Sequence, residues 1–210
     1  MANRCILTGA ALLLLVSLCS FAGDKQIVPE GYVRVAQAHN VPPESLYSVS
    51  LQESSRRLPQ GERPWPWTLN VAGKGYRYKT RLGAWQALQG FIRTNSLKRI
   101  DVGIAQVNLG WNGQRFTSTW EALDPYKNLN AAATILRECW DRKPGSWLDA
   151  AGCYHHPAGG APAARYRAFV KTKLALLQSS PHLPAATAVE QIASASVPDT
   201  GLVWINPRSQ

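Results

Sequence analysis

Apolar residues recur along this chain at steps that predict helices far more often than strands. Pro42-Pro43-Glu44 suits a first helical turn, and Leu46, Val49 and Ser50 continue it toward Glu53. Residues 81–94 place Leu82, Trp85, Leu88 and Ile92 three and four apart, which makes one apolar face. Residues 129–141 repeat the pattern with Leu129, Ala132, Ala133, Leu136 and Trp140, and residues 162–178 with Tyr166, Phe169, Val170, Leu174 and Leu177. Alternation typical of a strand is confined to Trp67-Thr68-Leu69-Asn70-Val71 and Tyr76-Arg77-Tyr78, on either side of Ala72-Gly73-Lys74-Gly75. A glycine-bearing turn between two such runs predicts a hairpin. The expected fold is mainly α: a helical domain with one small β-hairpin.

The two ends of the chain depart from this pattern. Arg4 followed by the apolar run Ile6 to Val16, then Ser20, Ala22 and Gly23, reads as an export signal over residues 1–23. The run is too short for a membrane span, and no later segment is apolar for long enough to be one. Cys19 raises a lipid-anchored alternative, which Leu18 disfavours because a small residue is expected there. From Pro181 the sequence turns to Pro, Ala, Ser and Thr and reads as a flexible tail over 181–210, with one apolar run, Gly201 to Ile205, able to dock. One domain over residues 24–180 is expected between them, with an exported, periplasmic location.

Charge and cysteine content narrow the reading further. The 23 Lys and Arg less Arg4 leave 22 bases against 13 acids, a formal charge of +9 for the exported chain. Such a balance suits nucleic acid, anionic lipid or an acidic polymer, and an export signal favours cell-wall material over DNA. Cys5 and Cys19 fall in the leader, so Cys139 and Cys153 remain, a pair that reads as one disulfide in an oxidising compartment. Two separate buried thiols are the alternative. A zinc site is disfavoured because the paired C-x-x-C spacing is missing.

Glu53 follows an apolar helical stretch, where a carboxyl is disfavoured as an anion and can keep a proton to donate. Glycosidases ordinarily use two carboxylates. The other acid near a candidate motif, Asp101, sits before Val102-Gly103 and reads better as the cap of a short turn. A single acid suffices where an N-acetylated sugar supplies its own acetamido oxygen as nucleophile. Ser54, Gln106 and Asn108 are short polar residues able to bond a sugar or Glu53, though taken singly each reads better as a cap or turn residue. Tyr154 can orient Glu53 or pack in a core. His155-His156 invites a metal reading, which is disfavoured because adjacent side chains diverge on a helix and on a strand. Trp65, Trp67, Tyr76 and Tyr78 divide between a sugar-stacking wall and ordinary core packing.

Glu53-Ser54, then Asp101-Val-Gly-Ile-Ala-Gln-Val-Asn108, then Leu123-Asp124-Pro125 with Asn128-Leu129, then Cys153-Tyr154, follow the order seen in lytic transglycosylases. Over residues 30–178 the chain resembles the soluble-lytic-transglycosylase (SLT) domain with its goose-lysozyme-like helical fold. It is most similar to the small members that accompany conjugation and type IV secretion machinery. The resemblance implies Glu53 as the catalytic acid and base, with Ser54, Gln106, Asn108, Tyr154 and His155 binding substrate. Ala105 stands where that family usually has methionine, and His155 where it has asparagine. The implied reaction cleaves the β-1,4 bond between N-acetylmuramic acid and N-acetylglucosamine and closes a 1,6-anhydro ring, without metal or organic cofactor. The implied partners are peptidoglycan glycan strands and components of a secretion complex, not nucleic acid, with the protein a monomer. A hydrolytic muramidase on the same scaffold and a non-catalytic peptidoglycan-binding scaffold protein are the alternatives.

Overall fold

Helix α1 (Glu30–Ala38) opens the part of the chain that the computed structural model describes, residues 25–178. The leader, the tail from Pro181 and the Gly201 to Ile205 run lie outside the described residues. After α1 come α2 (Pro43–Ser54), β1 (Ser55–Leu58), β2 (Gly61–Pro64), β3 (Thr68–Val71), β4 (Lys74–Arg77) and α3 (Arg81–Thr94). The chain continues through β5 (Ile100–Val102), β6 (Val107–Asn108), α4 (Leu109–Asn112), α5 (Thr119–Ala122), α6 (Pro125–Arg142), α7 (Trp147–His155) and α8 (Gly160–Leu174). Mainly α is the right class. No described helix is long and apolar enough to cross a membrane.

The β content exceeds one hairpin. β1 and β2 form an antiparallel ribbon of their own, and the expected hairpin β3–β4 is half of a four-stranded antiparallel sheet ordered β4-β3-β5-β6. Ala72 and Gly73 join β3 to β4 with φ of 54° and 86°, the left-handed geometry that a two-residue hairpin turn requires. Trp65 is buried, and the partly buried Trp67, Tyr76 and Tyr78 pack against the sheet's core, in line with the packing alternative.

Helix α2 is wrapped by protein on almost all sides, with every residue from Leu46 to Leu51 buried. Its serines tolerate this because Ser48, Ser50 and Ser54 each donate a hydroxyl to a carbonyl one turn back. Helix α6 starts four residues before the apolar pattern does. Asp124 caps it by accepting from the N–H groups of Tyr126 and Lys127, and Pro125 occupies the first turn. Leu82 on α3 and Phe169 on α8, expected on buried faces, are about half exposed; Ala84 and Leu88, and Ala163, Tyr166 and Val170, form the actual inner faces.

Two apolar cores result. One gathers α1, α2, α6, α7 and α8, with Leu46, Leu51, Leu129, Leu136 and Tyr166 among its members. The other joins the sheet to α3 and α5 through Leu69, Leu88, Ile100, Val102 and Leu123. The chain crosses between them at Gly103, since Val102 belongs to the second core and Ile104 and Ala105 to the first. Polar groups gathered at that seam are held by rigid elements on both sides.

Cys139 of α6 and Cys153 of α7 are bridged, with Cα atoms 5.8 Å apart. The link spans 14 residues and fixes the end of α7, where Tyr154 follows. A loop of that length contributes about 3 kcal/mol by restricting the unfolded chain. The chain without its first 23 residues should titrate no free thiol when denatured unreduced and two after reduction. Its melting temperature should fall by roughly 10 °C in reductant. Thiols titratable before reduction would refute the bridge.

Candidate active site

Glu53 sits in the last turn of α2, where the helix runs into β1 at the seam between the cores. The phenol of Tyr166 on α8 donates to its Oε1 at 2.6 Å. Burial raises the Glu53 pKa from 4.5 to about 8; the Tyr166 hydrogen bond opposes this and the charge of Asp101 adds to it. At neutral pH the group is therefore a neutral acid. With Oε1 engaged by the phenol, Oε2 is the oxygen left to carry the proton and give it away.

Opposite Glu53 lies one face of the sheet. Asn70, Asp101 and Asn108 are direct cross-strand partners and so point to the same side of β3, β5 and β6. Their neighbours Leu69, Val71, Ile100, Val102 and Val107 point to the other side, into the cores. The charge of Asp101 reaches both Glu53 and Tyr154. Asp101 thus departs from the turn-capping expectation. It is a strand residue with its carboxylate on the site, accepting from Asn108 Nδ2 at 2.8 Å, and burial pushes its own pKa up.

The segment Gly103 to Gln106 forms the floor. Gly103 has φ of +85° and Gln106 a φ of 49°. The fully buried Asn128 of α6 braces this turn: its Nδ2 donates to the Val102 and Ala122 carbonyls and its Oδ1 accepts from Ala105 N, each at 2.9 Å. Ser54 donates to the Ile104 carbonyl at 2.6 Å and accepts from Trp65 N. Tyr154 donates to the Ala105 carbonyl at 2.6 Å. Two helices and a side-chain amide therefore hold one four-residue turn.

These contacts reassign several of the candidates. Ser54 is fully buried with its hydroxyl engaged inside the protein, so it positions the turn and is closed to a sugar. Asn108 uses its whole amide: Nδ2 donates to Asp101 and the Lys98 carbonyl, while Oδ1 caps α4 through Gly110 N and Trp111 N. It, too, is structural. Tyr154 holds the floor and does not bond Glu53; Tyr166 has the orienting role instead. Gln106 donates its Nε2 to the Thr68 and Gly103 carbonyls, which turns its Oε1 away from them. His155 is exposed and stacks flat on Tyr166, with ring centroids 4.4 Å apart, covering the phenol that holds Glu53. Partial desolvation of the ring and then His156 lower its pKa, which favours the neutral ring.

No family model, curated protein or solved structure matches the chain. The site is therefore read from its own geometry. Tyr166 and the facing role of Asp101 are the two features that sequence reasoning missed. Tyr166 did carry a signal, since a tyrosine on the buried face of a helix must find a partner for its hydroxyl. That partner lies 113 residues away in sequence.

The two neighbours of Glu53 act on it with opposite sign. Removing the Tyr166 hydroxyl withdraws a bond that stabilises the carboxylate, so Tyr166→Phe should move the Glu53 pKa further up. Asp101→Asn removes a nearby negative charge and should move it down, while still accepting from Asn108. Both displacements are readable in the alkaline limb of an activity profile. Tyr166→Phe should also lower turnover about 10- to 100-fold through lost orientation. Displacement of both variants in the same direction would refute these assignments.

Proposed function

We propose that the protein is a peptidoglycan lytic transglycosylase with a lysozyme-like, goose-type helical fold. The observation that carries this reading is Glu53, a carboxyl held protonated to about pH 8 and oriented by Tyr166 in front of a polar sheet face. Glycan cleavage without metal needs an acid that is neutral at working pH, because the leaving oxygen must gain a proton as its bond to the anomeric carbon breaks. In this reading Glu53 gives that proton from Oε2 while the acetamido oxygen of the N-acetylmuramic acid closes on the anomeric carbon. The resulting carboxylate then takes the proton of the C6 hydroxyl. That oxygen displaces the acetamido oxygen, forms the 1,6-anhydro ring and leaves Glu53 protonated again. Burial suits both halves, since a carboxylate in an apolar setting is a strong base as well as a reluctant anion.

Gln106 Oε1 is placed to accept a hydrogen bond from an amide or hydroxyl of the sugar, and the basic surface to hold an anionic, peptide-bearing strand. The latter effect weakens with salt. The proposal includes a periplasmic setting, a monomeric protein and wall remodelling for a conjugation or secretion apparatus. A second reading has one specific observation in its favour: Asp101 lies within electrostatic reach of Glu53, and a second carboxylate can activate water. That enzyme would be a hydrolytic muramidase. Mass spectrometry of peptidoglycan digested by the protein separates the two. Anhydromuropeptides are the expected products, reducing-end products alone would replace transglycosylase with muramidase, and binding without release would leave only a scaffold role.

A further inference from the structure

Helices α7 and α8 are joined by residues 156–159 and lie close together because Gly152 has no side chain. A Cβ there would stand 2.9 Å from Arg167 Cγ and 3.2 Å from the Ala163 carbonyl oxygen. One turn further along α7, His155 lies flat on Tyr166 of α8, with the two ring planes 5° apart. The end of α7 that carries His155 is held from several sides. Cys153 is bridged to α6, His156 N donates to the Gly152 carbonyl, and Gly159 N donates to the His156 carbonyl. Burial across the stack is unequal: His155 is exposed, whereas Tyr166 beneath it is only 4% exposed. The Tyr166 hydroxyl then donates to Glu53 Oε1, and among the described residues no other side chain hydrogen-bonds Glu53. An open ring, a closed ring and the buried acid therefore stand in one line of contact.

We infer that His155 is a positioning residue that acts on Glu53 through Tyr166, its ring closing the phenol to water and holding the hydroxyl on the carboxyl. This rests on the proposed role of Glu53 as the acid and deepens it. A tilt of the Tyr166 ring would carry its hydroxyl, at the far end, off Oε1. A second ring lying parallel on the first restrains that tilt, since aromatic pairs hold preferred distances and orientations. The same cover keeps water from the group that Glu53 leans on. Burial is the largest influence on Glu53, ahead of the Tyr166 hydrogen bond, so admitting water favours the carboxylate. The cover must also be uncharged. A cation on the phenol would stabilise the Glu53 carboxylate and remove the proton the acid needs to give. Partial desolvation and then His156 favour the neutral imidazole at position 155. The stack uses the face of that imidazole and neither nitrogen, so this role differs from the sugar contact that the resemblance implies there.

The test reads Glu53 directly, by a pH titration of its side-chain carboxyl carbon in protein labelled with carbon-13 glutamate, the signal being assigned by its loss in Glu53→Gln. In His155→Ala the titration midpoint should fall from about 8 by roughly one pH unit. That is opposite to the rise expected for Tyr166→Phe. His155→Phe keeps a flat ring without a nitrogen and should restore the parent midpoint. In muropeptide release, His155→Ala should lower kcat about tenfold with KM little changed, and His155→Phe should recover the rate. A midpoint that is unmoved or raised in His155→Ala would overturn the positioning role. So would a His155→Phe protein that behaves like His155→Ala with a raised KM, the mark of a ring nitrogen on the sugar. If the midpoint moves and returns as expected but the unmodified protein releases no muropeptides, the positioning role stands and the lytic reading fails. If muropeptides are released but the midpoint ignores His155, the lytic reading stands and the positioning role fails.

Discussion

Glu53→Gln should abolish muropeptide release while leaving the fold intact and more stable at neutral pH. A glutamine keeps the shape and still accepts from Tyr166, but has no proton to give. The loss expected for a positioned acid is about 10²- to 10⁴-fold. The unmodified protein should be active while Glu53 is protonated and lose activity as pH rises through about 8. Stability carries the opposite mark of the same shift. The folded state holds the proton up to about pH 8, whereas the unfolded chain releases it near 4.5. Stability tied to this group is therefore fully present below pH 4.5, declines as pH rises from there, and stops falling once the folded group also ionises near 8. Glutamine does not titrate. Glu53→Gln should therefore melt with the parent near pH 4 and above it at pH 8, by on the order of 5 °C. Thermal melts at the two pH values, beside the digestion assay, check both halves. Equal melting at pH 8 would show that Glu53 is an ordinary solvated carboxylate.

The helical framework was legible where periodicity and end signals coincide. Residues 81–94 fix α3 at both bounds, and Pro42-Pro43 marks the start of α2. Helix α6 begins ahead of its apolar pattern because Asn128, a polar side chain, interrupts that pattern, and the interruption is where the site is braced. The β1–β2 ribbon leaves no signal in the sequence because Ser-Arg-Arg-Leu and Gly-Glu-Arg-Pro show no alternation. It is held through Ser55 and Lys173, which both donate to Glu62, and such contacts leave no trace in a local pattern. The candidate site was legible as a set of segments but not as a set of roles. Ser54, Asn108 and Tyr154 have the residue types that bind sugars, yet each is spent on contacts within the protein. Tyr166 and Asp101 gain their importance from elements that only the fold brings to Glu53.

The largest loss of stability is expected at the turn that these residues serve. A Cβ on Gly103 would lie 2.4 Å from Asn128 Nδ2 and 2.5 Å from its Cγ, and the φ of +85° is itself hostile to a side chain. Asn128 cannot swing away without giving up its bonds to Val102, Ala105 and Ala122, all inside the protein. Gly103→Ala should therefore cost about 4 kcal/mol or more, the range reached when a buried network breaks and strain is added. Asn128→Ala should cost about 3 kcal/mol, because it leaves an amide N–H and two carbonyls buried and unpaired. The two changes share one cause and should not add. Once Asn128→Ala has removed the amide, a Cβ at position 103 no longer meets it, so the double variant should be well short of the sum. Urea denaturation of the two single variants and the double variant closes the cycle. Simple additivity would mean that the backbone conformation of Gly103, and not its contact with Asn128, sets the loss.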